Sequence, residues 1–170
     1  MHTKDESSAA RSLCRPAELS LLESLMRYFQ EPEAEEVLVR LLVERKPVSL
    51  RQLDRFVSRE ARFRRVRVVD DGGRTHDLYT AYKAAVRGYH RQYFDVFARA
   101  TPLEFFVHSR ACFVRTTLAQ LNFVRWVIRF GVLSALDGWR SCARSQCPDG
   151  VGHTSDVELN SRARVLVSVA

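Results

Sequence analysis

A mostly helical α+β fold is what this sequence predicts: five or six helices around a buried central helix at about 117–130, with a small antiparallel sheet. Three observations predict it. Apolar residues recur at helical spacing over most of the chain, between Pro, Gly and Thr boundaries. The stretch from Thr116 to Phe130 is apolar almost all round, as a helix in the middle of a domain must be. Just before it, two short runs of strand-forming residues flank a turn.

Residues 1–15 are polar and mixed in charge and read as a disordered tail. Pro16 suits the first turn of a helix running to about Gln30, with Leu19, Leu22, Leu25 and Phe29 on one stripe. Pro32 opens a second helix. Its Glu33, Glu35 and Glu36 lie near the positive end of the macrodipole, and Val37, Leu38, Leu41 and Leu42 form its inward face. Lys46-Pro47 breaks it, and Ser49 is a suitable cap for a third helix from Leu50 to about Arg59. There Leu50, Leu53, Phe56 and Val57 point inward, while Arg51, Arg55 and Arg59 follow one another at four-residue spacing outside.

Phe63 to Val69 alternates and reads as a strand, and Asp70-Asp71-Gly72-Gly73 as a turn. A fourth helix is expected from about Asp77 to Arg99. Leu78, Tyr82, Val86, Tyr89, Tyr93 and Phe97 hold one face, and Lys83, Arg87, His90 and Arg91 the other. Leu103–Val107 and Cys112–Arg115 form a hairpin that joins 63–69 in the sheet. Thr116 or Thr117 caps the central helix, whose polar sector is Asn122, Arg125 and Arg129, with Gln120 as an amide among apolar neighbours. A short helix follows from Val132 to about Trp139. The expected organisation is therefore a single globular domain over 16–139, with a poorly ordered tail over 140–170.

Charge narrows the function classes. The net charge is +7, and 24 of the 27 basic residues are arginine, whose fork pairs with phosphate or carboxylate. Residues 1–36 carry a balance of −4, and 51–67 a balance of +5, which would orient the molecule in a polyanion's field. No apolar run approaches the roughly 18 residues that span a bilayer, and no signal-peptide segment opens the chain. The expectation is an intracellular, reducing setting with free thiols at Cys14, Cys112, Cys142 and Cys147, and no membrane partner.

Three blocks, in order, carry a family likeness: Ser49, Leu50, Arg51, Leu53, Asp54, Phe56 and Val57; then Tyr89, Tyr93, Phe94, Asp95, Phe97 and Arg99; then Thr116, Thr117, Gln120, Leu121, Asn122, Phe123 and Trp126. Together they resemble uncharacterised proteins of large nucleocytoplasmic DNA viruses, over about 48–137. The chain departs from that pattern at Arg55, where the family has Trp, at Val96, where it has Pro, and at Ala98, where it has Cys. The resemblance implies a viral origin and presence in the cytoplasm or nucleus of an infected cell, or in the virion. It carries no activity with it.

The residues themselves point first to nucleic acid. The second and third helices with an arginine face resemble a helix-turn-helix, and the following basic strand a wing. The candidate contacts are Arg51, Arg55, Arg59, Arg62, Arg64, Arg65, Arg67, Lys83, Arg87 and Arg91, each able to release counterions from a phosphate backbone. The alternative is a virion or adaptor protein that docks the same face on an acidic viral or host protein. An enzyme is not expected, because the chain has no Gly-rich phosphate loop, nucleophile elbow or His-Glu-x-x-His pair. His76, Asp77 and Asp95 are the only acid–base candidates, and the latter two read more simply as a helix cap and an arginine partner. No cofactor, small-molecule ligand or metal is expected. Cys142, Cys147 and His153 lack the paired spacing of zinc sites. Tyr82, Tyr89, Tyr93 and Trp126 are read as core rather than as stacking platforms.

Overall fold

The computed structural model describes residues 16–145, which form a mostly helical α+β fold. The elements in chain order are α1 (Pro16–Tyr28), α2 (Pro32–Val39), α3 (Leu50–Arg55), α4 (Ala61–Arg64), β1 (Arg67–Val69) and β2 (Thr75–Asp77). They continue with α5 (Leu78–Gly88), β3 (Leu103–Val107), β4 (Cys112–Thr116), α6 (Leu118–Arg129) and α7 (Val132–Ser145). Single π-helical turns extend α2 at Arg40–Glu44 and join α3 to α4 at Phe56–Glu60. Among the described residues no helix is long and apolar enough to cross a membrane.

The described residues divide into two compact units, one drawn from 16–50 and 86–125, the other from 51–85 and 126–145. In the first, α1 buries Leu22, Leu25 and Phe29, and Phe29 meets Phe105 of β3 edge to face, 5.9 Å between ring centres. β3 and β4 pair antiparallel, Leu103 opposite Thr116 and Val107 opposite Cys112. Leu103, Phe105 and Val107 turn one face inward, as period-two alternation requires. The carboxylate of Glu35, on α2 and only 5% exposed, receives the His108 N–H and the Ser109 N–H (2.6 and 2.9 Å), tying α2 to the hairpin turn.

In the second unit, Leu53, Phe56, Val57 and Ala61 line the buried face of one continuous run of helical turns from Leu50 to Arg64. The expected strand over 63–69 is corrected here: no Pro or Gly stops the helix before Arg65, so 63 and 64 are helical and β1 is only Arg67–Val69. β1 pairs with β2, Arg67 opposite Asp77, and not with the other hairpin, so the single small sheet becomes two separate ones. The turn between them is organised by Asp70. Its Oδ1 accepts the Gly72 and Arg74 N–H groups (3.0 and 2.8 Å), and its Oδ2 bonds His76 Nε2 at 2.8 Å. The Arg74 N–H and His76 hold this carboxyl at a pKa of about 2.

The fourth helix is shorter than expected. α5 starts at Leu78, capped by Asp77, whose Oδ1 accepts the Thr80 N–H at 2.8 Å, and ends at Gly88. His90 then takes φ 59° and ψ 150°, a backbone region that L-residues rarely occupy, and a 3₁₀ turn covers Arg91–Tyr93. α7 is longer than expected, reaching Ser145. Of the tail expected at 140–170, residues 140–145 are helical; the rest of it, and the tail expected at 1–15, lie outside the described residues.

Buried positions dominate α6, from Leu118, Ala119, Leu121, Phe123 and Val124 to Trp126 and Val127. Thr117 caps it by accepting the Gln120 N–H (3.2 Å), and the Thr116 hydroxyl donates to Gln120 Oε1 (2.9 Å), a variant of the capping box. Gln120 is therefore half-buried at the helix start, fastened to the end of β4. The fully buried amide is Asn122, 1% exposed. Its Nδ2 donates to the Tyr93 carbonyl (2.9 Å), and its Oδ1 accepts from Arg125 Nη2 (2.7 Å).

Candidate nucleic-acid interface

The helical run from Leu50 to Arg64 places Arg51, Arg55, Arg59, Arg62 and Arg64 on its exposed side, because Leu53, Phe56, Val57 and Ala61 take the inward one. Arg65 ends the run in the left-handed conformation (φ 48°, ψ 44°), its N–H bonded to the Ala61 carbonyl, and its side chain is exposed. Arg67 begins β1, also exposed. Lys83 lies on the α5 part of the same unit, whereas Arg87 and Arg91 belong to the other unit. Only Arg67 stands on a strand, so the expected wing of 62, 64, 65 and 67 is mostly helix. α2 belongs to the first unit, so of the expected helix-turn-helix only the α3–α4 run lies in the second unit.

These cations are not equally available. Arg55 Nε lies 3.7 Å from Glu60, and Arg91 Nε 3.1 Å from Asp95, so both are partly neutralised. The Arg62 guanidinium sits over the Tyr79 ring at 5.4 Å, which fixes its direction without consuming its charge. Arg59, Arg64, Arg65 and Arg67 are exposed and meet no carboxylate among the described residues. Asp54, the acidic interruption of the helix, is half-buried and accepts the Tyr82 hydroxyl at 3.0 Å, pointing its charge inward.

The alternation of Phe63 with Arg65 and Arg67 predicts a strand residue. The helix instead leaves Phe63 82% exposed between Arg62 and Arg64, one turn beyond Arg59. The uninterrupted run from Arg59 to Arg65, with Ala61 four residues after Val57, is the signal that identifies it as helical.

The other candidates have structural duties. His76 bonds Asp70 and meets Phe130 edge to face at 5.3 Å. Asp77 caps α5, and Asp95 bonds Arg91 and the Phe97 N–H (2.9 Å). Tyr82 packs against Trp126, Tyr89 stacks on Phe94, and the Tyr93 hydroxyl bonds Glu18 at 3.3 Å; all three tyrosines, expected in the core, are half-buried at its edge. Arg129, expected on the polar sector of α6, grips Asp71 with both arms of its fork (2.9 and 3.5 Å). Among the described residues no group of three or more His, Cys, Asp or Glu could hold a metal, and Cys112 and Cys142 are exposed free thiols. Cys147 and His153 lie outside the described residues.

Fold and surface together define a small, mostly helical α+β protein with an arginine-faced helix. Residues 3–138 match the model of a family of unknown function (DUF7197), and the chain belongs to that family. No curated protein and no solved structure matches it.

The left-handed residue at the end of the helix lets charge be separated from stability. Arg65→Gly should raise the urea midpoint, because glycine adopts that conformation without the β-carbon clash worth about 1 kcal/mol. Loss of fold in this variant would contradict the placement of the helix end.

Proposed function

We propose that this is a small basic viral protein of non-catalytic type that binds nucleic acid through the α3–α4 arginines. The observation that carries the reading is the set Arg59, Arg64, Arg65 and Arg67, exposed and unpaired with carboxylate among the described residues. Guanidinium groups in that state exchange condensed counterions for phosphate contacts. The viral origin rests on the three sequence blocks, and an infected cell is the proposed setting.

Retention on duplex DNA across a salt series tests the binding. Affinity should fall steeply with salt, and Arg59→Ala with Arg64→Ala should flatten the log–log slope by about one for each phosphate left unneutralised. If the protein does not bind at low salt, or the variant binds unchanged, the nucleic-acid reading fails. An acidic protein partner for the same face then becomes the better account.

A further inference from the structure

We propose that Phe63 and the arginines around it form a stacking site for single-stranded nucleic acid. The inference rests on the polyanion reading above and deepens it. Phe63 stands in the last turn of α4, with Arg62 and Arg64 as chain neighbours, Arg59 one turn before it and Arg65 just after it. At 82% exposure its ring contributes little to the core, and leaving a large aromatic in water has no folding benefit. A base provides what such a ring lacks, a π-face on one side and a phosphate within reach of the flanking cations. A duplex keeps its bases stacked on one another, so only an unpaired strand can use the ring.

The distribution of apolar surface separates this partner from an anionic membrane. Interfacial helices bind in proportion to a broad buried apolar face. Along 51–67 Phe63 is the one large apolar side chain that is exposed, and its exposed neighbours are charged or polar. A single ring amid guanidinium groups matches a stacked base better than an acyl layer.

The test uses the full chain with fluorescent oligo(dT), oligo(U), a duplex of equal length, and phosphatidylserine vesicles. Phe63→Ala should weaken binding of both single strands by about tenfold, Phe63→Trp should restore or strengthen it, and duplex affinity should not move. The exposure of Phe63 means that neither variant threatens the fold, which circular dichroism checks. Equal small losses on single strand and duplex would overturn stacking while leaving the arginine reading intact. Absence of all nucleic-acid binding in the unmodified protein would overturn both. Vesicle binding that Phe63→Ala abolishes, with single-strand binding unchanged, would assign the ring to a lipid surface instead.

Discussion

Trp126→Ala should cost about 3–5 kcal/mol of stability, the range for removing a packed tryptophan from a core. The ring is only 5% exposed and meets Tyr82 edge to face at 5.9 Å and Phe130 at 5.1 Å. The void would loosen Tyr82, and with it the hydroxyl bond that turns Asp54 inward. Much of the loss is dispersion and apolar transfer, so Trp126→Phe should recover a large share of it. Urea unfolding measures this as a lower midpoint at unchanged slope. A drop below about 1 kcal/mol, the range of ordinary surface changes, would mean that Trp126 is not packed as described. Trp139 is the informative comparison. Its indole N–H is buried without a hydrogen-bond partner among the described residues, so Trp139→Phe removes an unmet donor and should cost far less.

Glu35→Ala should cost about 2–3 kcal/mol, since charge-assisted bonds to two backbone N–H groups disappear together. The same site gives a pH dependence. Burial raises the Glu35 pKa, but the Ser109 and His108 donors outweigh it, and the carboxyl ends below its ordinary value of 4.5. Asp70 is lowered from 3.8 to about 2 by the Arg74 N–H and His76. A folded-state pKa below the unfolded one means stability that is complete above the unfolded value and lost as pH falls through the folded value. Both groups therefore contribute fully at neutral pH, and their contributions fade below about pH 4.5 for Glu35 and between about 3.8 and 2 for Asp70. Urea midpoints taken from pH 6 downward should bend at the upper end of this window, and Glu35→Gln should remove that first bend. A wild-type midpoint flat to pH 3 would show that neither carboxyl is held as described.

Most helices are legible in the sequence because each has a local boundary marker: Pro16, Pro32, the Lys46-Pro47 break and Gly131. Sequence and structure part where two patterns coincide. The stretch from Phe63 to Val69 alternates like a strand, yet its first residues complete a helix already under way, and cooperative extension of that helix wins. Tyr89, Tyr93 and Phe97 keep helical spacing beyond Gly88, but spacing cannot register the unusual backbone at His90. The two amides trade places for a similar reason. Gln120 sits on an apolar sector, which predicts burial, yet it finds Thr116 at the helix start. Asn122 falls with Arg125 and Arg129 on the polar sector, yet it reaches the Tyr93 carbonyl, a partner 29 residues away that no local pattern reveals.

The arginine face itself is legible from spacing and charge. Which of its members are free is legible only in part: Asp95 one turn from Arg91 is foreseen as an arginine partner, whereas the capture of Arg55 by Glu60, five residues on, is not. Strand-like alternation likewise hides the exposure of Phe63, which follows from its place in the last turn of a helix.

A pair of adjacent glycines ordinarily gives a chain a hinge. At Gly72 and Gly73 the hinge is braced from one side by the Asp70 carboxylate, which fastens the loop at 72, 74 and 76, and from the other by the Arg129 fork on Asp71. The shape of this loop is thus written in two acids, and the glycines merely permit it. Gly73 takes φ 77° and a β-carbon at Gly72 would lie 3.3 Å from Asp70 Oδ1, so glycine is required where the acids bind, and a swap of either acid for its amide would restore the joint that the paired glycines advertise.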